Sequence, residues 1–545
     1  MELKDYQRQT LETVEKYLMQ LALQQTAKEA VARAGVEIDF NVPEQAWKKL
    51  GRDRWHNRQD GLGRDIPHFC LKIPTGGGKT LLAARSLDLI GTRFLRRKSG
   101  LALWIVPSTQ IYRQTLSALR DRQHPYRQAL DAASGGCTVI REKGDLFRRD
   151  DVENNLVVLM LMLPSANRAT KEYLRMFRDS GGFDDFFPDE SSPSAHEAML
   201  AKFPNLDRFE GGGLFGWQVK TSLGNAVRLL DPVIILDEGH KAYSDLAVKT
   251  LCDFNPSLIL ELSATPDSAR SNVLVSVSGR DLEREQMIKL DLHLRNKDSD
   301  RWQSALEAGK KWRDALEEKA REHKAATNQY IRPINVIQVE RTGKDQRSAG
   351  LIHSEDVREW LVSRMGVLPE EVAVKTSEKD ELKEVDDLGG LMSPDCPIRY
   401  IITKQALQEG WDCPFAYVLT ILPRPGSKNA LTQLIGRILR QPYARKTGVP
   451  ELDESYVYCY RQEANQLLDS VRQGLEDDGM GDLVENVSVD GGDASSAGRR
   501  RVAKVRPEFK KTVKSLLLPI FVVKGERGWR PVSYEADIER RIDWE

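Results

Sequence analysis

The run Pro74-Thr75-Gly76-Gly77-Gly78-Lys79-Thr80 lies between an apolar stretch, Phe69-Cys70-Leu71-Lys72-Ile73, and an apolar helical start, Leu81-Leu82-Ala83-Ala84. Glycines at Gly76, Gly77 and Gly78 let backbone N–H groups approach phosphate oxygens closely, and a helix N-terminus adds positive potential. In such a turn Lys79 reaches the β- and γ-phosphates of ATP, Thr80 ligates Mg²⁺, and Thr75 belongs to the cradle. The general pattern for this turn begins with a glycine, where this chain has Ile73. A second group, Asp237-Glu238-Gly239-His240, follows Val233-Ile234-Ile235-Leu236. An apolar strand that delivers acids at its C-terminal end places them at the ligand crevice of an open α/β sheet. Asp237 suits Mg²⁺ held through water, and Glu238 suits orienting or deprotonating the attacking water. His240 suits coupling the nucleotide site to a neighbouring lobe. A third group is Arg437 and Arg440, three apart and so on one side of a helix, with Gln433 a turn earlier on the nucleotide side. The planar guanidinium fork stays charged and fits a transferring phosphate.

These groups need elements to hold them. From about 68 to 265, short apolar runs (69–73, 101–106, 156–163, 232–236, 258–262) alternate with helical stretches, the pattern of a parallel sheet covered on both faces. Residues 169–230 break that rhythm with Gly, Pro and Ser and read as an insertion, partly loop. Residues 4–34 read as helix, and 299–326 as an exposed, charge-rich helix. A second set of strands is predicted at 333–339, 398–403, 416–422 and 455–460, with a helix at 428–441. Residues 476–498 are rich in Gly, Asp and Ser and read as a flexible linker. A strand is predicted at 515–523.

Lys+Arg and Asp+Glu both total 81, so the formal net charge is zero and any nucleic-acid surface must be a local basic patch. The run 499–511 (Arg499, Arg500, Arg501, Lys504, Arg506, Lys510, Lys511) is one candidate patch, though a solvated charge run explains it too. Six scattered cysteines, none in C-x-x-C spacing, argue against a zinc site and for a reducing compartment. The N-terminus has no signal-peptide core, and no apolar run approaches the roughly 18 residues that span a bilayer. A soluble cytoplasmic protein without membrane contact is expected.

The order of Lys79-Thr80, Asp237-Glu238-Gly239-His240, Ser263-Ala264-Thr265, Gln405-Ala406-Leu407-Gln408-Glu409-Gly410-Trp411-Asp412 and Gln433-Leu434-Ile435-Gly436-Arg437-Ile438-Leu439-Arg440 resembles a superfamily 2 helicase over about residues 3–460. The resemblance implies an α/β fold of two tandem RecA-like lobes with parallel sheets flanked by helices. It implies that Gln7 reads adenine through its amide, and that Ser263 and Thr265 link ATP hydrolysis to strand movement. Ser108 and Thr109 would contact nucleic-acid phosphates. Asp412 would contact ribose or order the arginines, and Arg437 and Arg440 would act as fingers when the cleft shuts.

Within that superfamily the glycine turn, the Asp-Glu-Gly-His box and Glu409-Gly410-Trp411-Asp412 look most like the Res subunit of type III restriction–modification enzymes and related prokaryotic antiviral defence helicases. The implied activity is ATP-dependent translocation on duplex DNA, alongside a methyltransferase/specificity subunit or a separate nuclease. An ATP-gated nucleic-acid switch that recruits a nuclease, or an RNA helicase, stays open as an alternative. The family's Pro-Asp…Asp/Glu-x-Lys nuclease centre has no match: Pro188-Asp189, Pro266-Asp267 and Pro394-Asp395 lack a suitably placed partner. The last residues read as an element that continues, so a further C-terminal part is expected. The expected domains are lobe 1 over 1–270 with its insertion at 169–230, a helical inter-lobe segment over 271–330, lobe 2 over 331–470, a flexible linker over 471–505, and the start of a C-terminal domain over 506–545.

Overall fold

The computed structural model describes residues 2–35, 40–162, 176, 182–209, 217–239, 244–297, 301–340, 351–376, 379–382, 385, 390–404, 411, 413–423, 434–460, 464–490, 522–525 and 528–531. Residues 1–492 form one compact unit and 493–545 another.

The first sheet has seven strands: β1 (His68–Lys72), β2 (Gly100–Val106), β3 (Thr138–Glu142), β4 (Leu156–Met162), β5 (Val233–Asp237), β6 (Leu258–Ser263) and β7 (Val273–Ser276). Their order is β3-β4-β2-β5-β6-β1-β7, and every pairing is parallel. β2 and β5 are buried along their whole length, as a central parallel strand covered by helices on both faces must be. Helix α1 (Asp5–Arg33) buries Tyr6, Thr10, Val14, Tyr17, Leu18 and Leu21, a three-and-four spacing that puts one face against this sheet. Tyr17 anchors it, edge-on to Trp47 at 5.7 Å and to Phe69 of β1 at 5.5 Å. The described part of the 169–230 insertion packs as core. Phe183, Phe186, Leu206 and Val219 join Leu103 and Ile234 of the sheet, and a helix covers Leu223–Leu229.

The second sheet repeats the plan with β8 (Leu292–Lys297), β9 (Ile334–Gln338), β10 (Val372–Lys375), β11 (Tyr400–Thr403), β12 (Ala416–Ile421), β13 (Ser455–Tyr460) and β14 (Val487–Asp490). The order is β10-β11-β9-β12-β13-β8-β14, again all parallel. Two RecA-like lobes are therefore present. In the second unit, β15 (Val522–Gly525) pairs antiparallel with β16 (Gly528–Pro531); β15 overlaps the strand predicted at 515–523.

Three expectations change. Residues 271–330 are not a separate helical segment: β7 closes the edge of the first sheet and β8 already belongs to the second. The charge-rich helix, here Gln303–Thr327, is not simply exposed. It buries Ala305, Leu306, Gly309, Leu316 and Ala320 on one face, which packs on β9, β12 and β13. Finally, residues 476–490 are not a flexible linker. A helix over Ala464–Asp477 and a short 3₁₀ turn over Gly481–Asn486 lead into β14, which pairs with β8. Leu467, Val471, Leu475, Met480 and Leu483 are buried there. Five apolar anchors outweigh the Gly and Asp content that suggested a coil. The linker's remainder and the basic run 499–511 lie outside the described residues.

Candidate active site

The glycine turn leaves β1 and enters the helix Lys79–Leu89, with Gly78 as its N-cap. Gly76 and Gly78 have φ of +85° and +80°, the left-handed region where a Cβ is strained. A Cβ on Gly77 would also fall 2.5 Å from Ile73 Cγ2. The turn is braced from both sides: Ile73 N donates to Ser263 O at 2.9 Å, and Gly77 N to Pro74 O at 3.0 Å. Beneath it, the Tyr6 hydroxyl donates to Gly77 O at 2.7 Å.

Gln7 is buried under the same turn. Its Oε1 accepts from Lys4 N at 3.0 Å, and its Nε2 faces Gly77 O at 3.4 Å and the Tyr6 hydroxyl at 3.3 Å. A Cβ on Gly78 would lie 2.7 Å from that Nε2. Both ends of the amide are thus engaged with the glycine turn and the start of α1.

Asp237 ends β5 and Glu238 follows it with φ +50°, which turns the chain sharply at the sheet's C-terminal edge. Lys79 Nζ meets Glu238 Oε1 at 2.5 Å. Burial alone would lower the Lys79 pKa, but the carboxylates of Glu238 and Asp237 outweigh it and raise it, so the ammonium stays charged. Asp237 moves the other way from an ordinary carboxyl. Burial first, and then the neighbouring Glu238 charge, push it up to about 6 against the pull of Lys79 and the Glu238 N–H. Gly239 is required by close packing: a Cβ there would lie 2.3 Å from Glu261 Cγ.

Ser263 ends β6, fully buried, and its hydroxyl accepts from Thr265 N at 3.2 Å. Ser108 ends the loop after β2 and caps the helix Thr109–Arg120 through Ile111 N, while Thr109 is exposed. Both therefore sit at the C-terminal edge of the first sheet, the side that carries the glycine turn.

From the second lobe, Arg440 lies against the glycine turn. A Cβ on Gly76 would fall 3.3 Å from Arg440 Nε. Arg437 donates through Nη1 to Trp411 O at 2.7 Å. Burial raises the pKa of the Asp478 carboxyl, against the opposing pull of the Thr75 side chain and of the nearby charges of Arg437, Lys79 and Arg440. Lysine and arginines from opposite lobes thus face one gap. His240, Asp412 and Gln433 lie outside the described residues.

Residues 1–268 match the family model of the type III restriction enzyme, res subunit. The matched segment takes in the glycine turn, the Asp237-Glu238 acids and Ser263-Thr265. No curated protein matches the chain. Among solved structures, the ATP-dependent Type ISP restriction-modification enzyme LlaBIII bound to DNA is 13% identical, with 91% of this chain and 32% of that one covered and a TM-score of 0.43. A fragment of a putative HsdR subunit of a type I restriction enzyme from Vibrio vulnificus YJ016 is 14% identical over 74% of this chain and 62% of its own, with a TM-score of 0.38. Helicase Lhr from Mycobacterium smegmatis bound to ssDNA and AMP-PNP is 13% identical over 74% and 45%, with a TM-score of 0.37. The chain spans less than two thirds of each of these.

Sequence reasoning missed two groups that touch the matched segment. Lys4 Nζ donates to Glu285 O and Ala444 O, both at 2.9 Å, tying the start of α1 to the second lobe. Asp478 reaches the glycine turn from a stretch read as linker, its backbone O accepting from Thr75 N at 3.0 Å. An Asp-Gly pair after a helix signals only a turn. Nothing local in the sequence shows where that turn lands.

Proposed function

We propose that this chain is an ATP-driven motor of restriction type, which hydrolyses ATP between its two lobes and moves along duplex DNA. The observation that carries the reading is the placement of Arg440 of the second lobe against Gly76 of the first, with Lys79 and Arg437 facing the same gap. An enzyme that used its P-loop alone would have no need of arginines from a second sheet.

In this reading Lys79 and the glycine turn bind the phosphates, and Arg437 and Arg440 stabilise charge as the cleft tightens. Glu238 holds the attacking water and takes its proton. Mg²⁺ suits the site, because Asp237 and Glu238 are adjacent carboxylates that share one lysine, and burial makes the ionised Asp237 costly without a further cation. When bound at Thr80 and Asp237, Mg²⁺ would supply neutralising charge to the phosphates. Cleft motion then alternates the grip of the two lobes on the strand.

ATP turnover by wild type and Lys79→Ala, with duplex DNA, single-stranded DNA or RNA, tests this. Stimulation of the wild type by duplex DNA and loss in the variant are expected. Equal turnover in both proteins rejects the nucleotide site. Stimulation by RNA alone turns the reading to an RNA motor. Displacement of a triplex-forming strand separates movement along DNA from an ATP-gated switch that stays where it binds.

A further inference from the structure

The chain crosses from the first sheet to the second through residues 285–291, between the helix Gly279–Arg284 and β8. That crossing is stitched to the backbone around Arg440. Ile288 forms a bridge with Arg440, Gln441 N donates to Met287 O at 2.9 Å, and Lys289 N donates to Leu439 O at 2.5 Å. With both of its neighbours bonded there, Arg440 takes its place from the crossing. The opening turn of α1 grips the same segment from the first lobe. The Tyr6 hydroxyl, which donates to Gly77 O, lies 3.0 Å from Met287 Sδ. Lys4, the half-buried N-cap of α1, makes contacts at both of its ends. Its backbone N donates to Gln7 Oε1 at 3.0 Å, and its ammonium donates to Glu285 O and to Ala444 O, each at 2.9 Å. Ala444 lies four residues beyond Arg440. Tyr443 and Ala444 have φ of +56° and +51°, a left-handed pair that residues with a Cβ keep only where their surroundings hold them. Lys4 is one such hold. The Tyr443 hydroxyl on Tyr330 O at 2.6 Å and Lys446 N on Gln286 Oε1 at 3.2 Å are two more.

We propose that Lys4 is a positioning residue for Arg440: its ammonium clamps the inter-lobe crossing and the Tyr443-Ala444 turn to the start of α1, and so sets how closely the Arg440 guanidinium approaches the glycine turn. The clamp rests on the ATP reading above but makes a separate claim, that the reach of a second-lobe arginine is fixed by a first-lobe lysine. Bonds from one cation to two carbonyls are stronger than neutral ones, and a shorter or uncharged side chain does not replace them. The arginine fork matters most in the transition state, so a loosened clamp slows the chemical step and leaves nucleotide binding nearly unchanged. The effect passes through Arg440. Once the fork of Arg440 is gone, the clamp has nothing left to place.

The test is single-turnover ATP hydrolysis, with equilibrium binding of a fluorescent, non-hydrolysable ATP analogue and Mg²⁺, on the full chain. Lys4→Met keeps an unbranched stem and removes the donors, and Lys4→Arg restores them. Melting temperatures check folding, and Lys4→Gln takes the place of Lys4→Met if that variant does not fold. Lys4→Met is expected to hydrolyse ATP about tenfold more slowly than wild type while binding the analogue within about threefold, as a misplaced but intact group would. Lys4→Arg is expected to return to within about threefold of the wild-type rate. In a chain that already carries Arg440→Lys, Lys4→Met should slow hydrolysis by less than about a further threefold, because the two residues act as one unit. A wild-type rate in Lys4→Met, equal losses of rate and affinity, no recovery in Lys4→Arg, or a full loss that persists beside Arg440→Lys overturns the clamp. Lys79→Ala separates the two claims. If it abolishes hydrolysis while Lys4→Met hydrolyses as wild type does, the ATP site stands and the clamp falls. If it hydrolyses as wild type does, the ATP site falls and the clamp with it.

Discussion

The Lys79 ammonium and the Glu238 carboxylate, 159 residues apart in sequence, meet at 2.5 Å across the end of the first sheet. Each masks the other. A lysine bound to Glu238 is withheld from phosphate, and a glutamate bound to Lys79 is withheld from water. In the proposed reaction a phosphate would compete with Glu238 for Lys79, and the attacking water would compete with Lys79 for Glu238.

Replacement of the two partners should therefore separate binding from chemistry. Lys79→Ala is expected to lose nucleotide binding together with turnover. Glu238→Gln is expected to keep binding within about threefold while turnover falls by about 10²–10⁴, the usual worth of a general base. Binding titrations and steady-state phosphate release, measured on the same preparations, check both. Loss of binding in Glu238→Gln would instead make Glu238 a structural partner of the lysine.

Asp237 sets the pH dependence. Its folded-state pKa, about 6, lies above the ordinary carboxylate value of 3.8, so ionising it costs the folded protein. The stability that its neutral form contributes is fully present below the ordinary value and is lost as pH rises through about 6. In the proposed reaction the ionised form holds Mg²⁺, so turnover should fall as pH drops below about 6. At pH 8 without nucleotide, Asp237→Asn should melt a few degrees higher than wild type while hydrolysing no ATP. A melting temperature that drops in this variant refutes the assigned cost of the charge.

The arginine pair makes a different demand. Arg437→Lys and Arg440→Lys keep the charge but lose the fork. Turnover is expected to fall by about 10³-fold in each, within the range for arginines that act on a transferring phosphate. Nucleotide affinity should change by less than about tenfold, because the fork matters most in the transition state. Rapid-quench single-turnover measurements distinguish a slower chemical step from slower release.

Much of this was legible in the sequence. Long apolar runs announced β2, β4, β5, β6, β12 and β13, because a strand covered on both faces must be apolar throughout. The strands that escaped notice have a common reason. β3, β7, β10 and β14 are the four edges of the two seven-stranded sheets, short and with fewer neighbours to bury. β8 is interior but reads Leu-His-Leu-Arg-Asn-Lys. Its polar side chains are satisfied only by tertiary partners: His293 meets Glu454 at 2.8 Å, and Arg295 donates to the Tyr458 hydroxyl at 2.8 Å and stacks over Trp312. Within the site, the glycine turn and the acids carry local signatures. Asp478 carries none, since its meaning comes from Thr75, which lies far from it in sequence.

Packing of the second lobe can be tested without touching the site. Gly309 lies within the helix Gln303–Thr327 where it crosses β12, and a Cβ there would fall 2.4 Å from Thr420 Oγ1 and 3.1 Å from Asn335 Nδ2. Two effects compete in Gly309→Ala. Helix propensity favours alanine by about 1 kcal/mol. Overpacking costs about 1–3 kcal/mol where nothing can yield. Thr420 and Asn335 are both fully buried and bonded to each other at 3.0 Å, so neither is a flexible chain end that can swing away. The clash should win, with a net loss of roughly 1–2 kcal/mol in denaturant unfolding. Thr420→Ala in the same chain removes the clashing hydroxyl, so the double variant should be less destabilised than the sum of the singles. Simple additivity would mean that helix and sheet do not meet at this point.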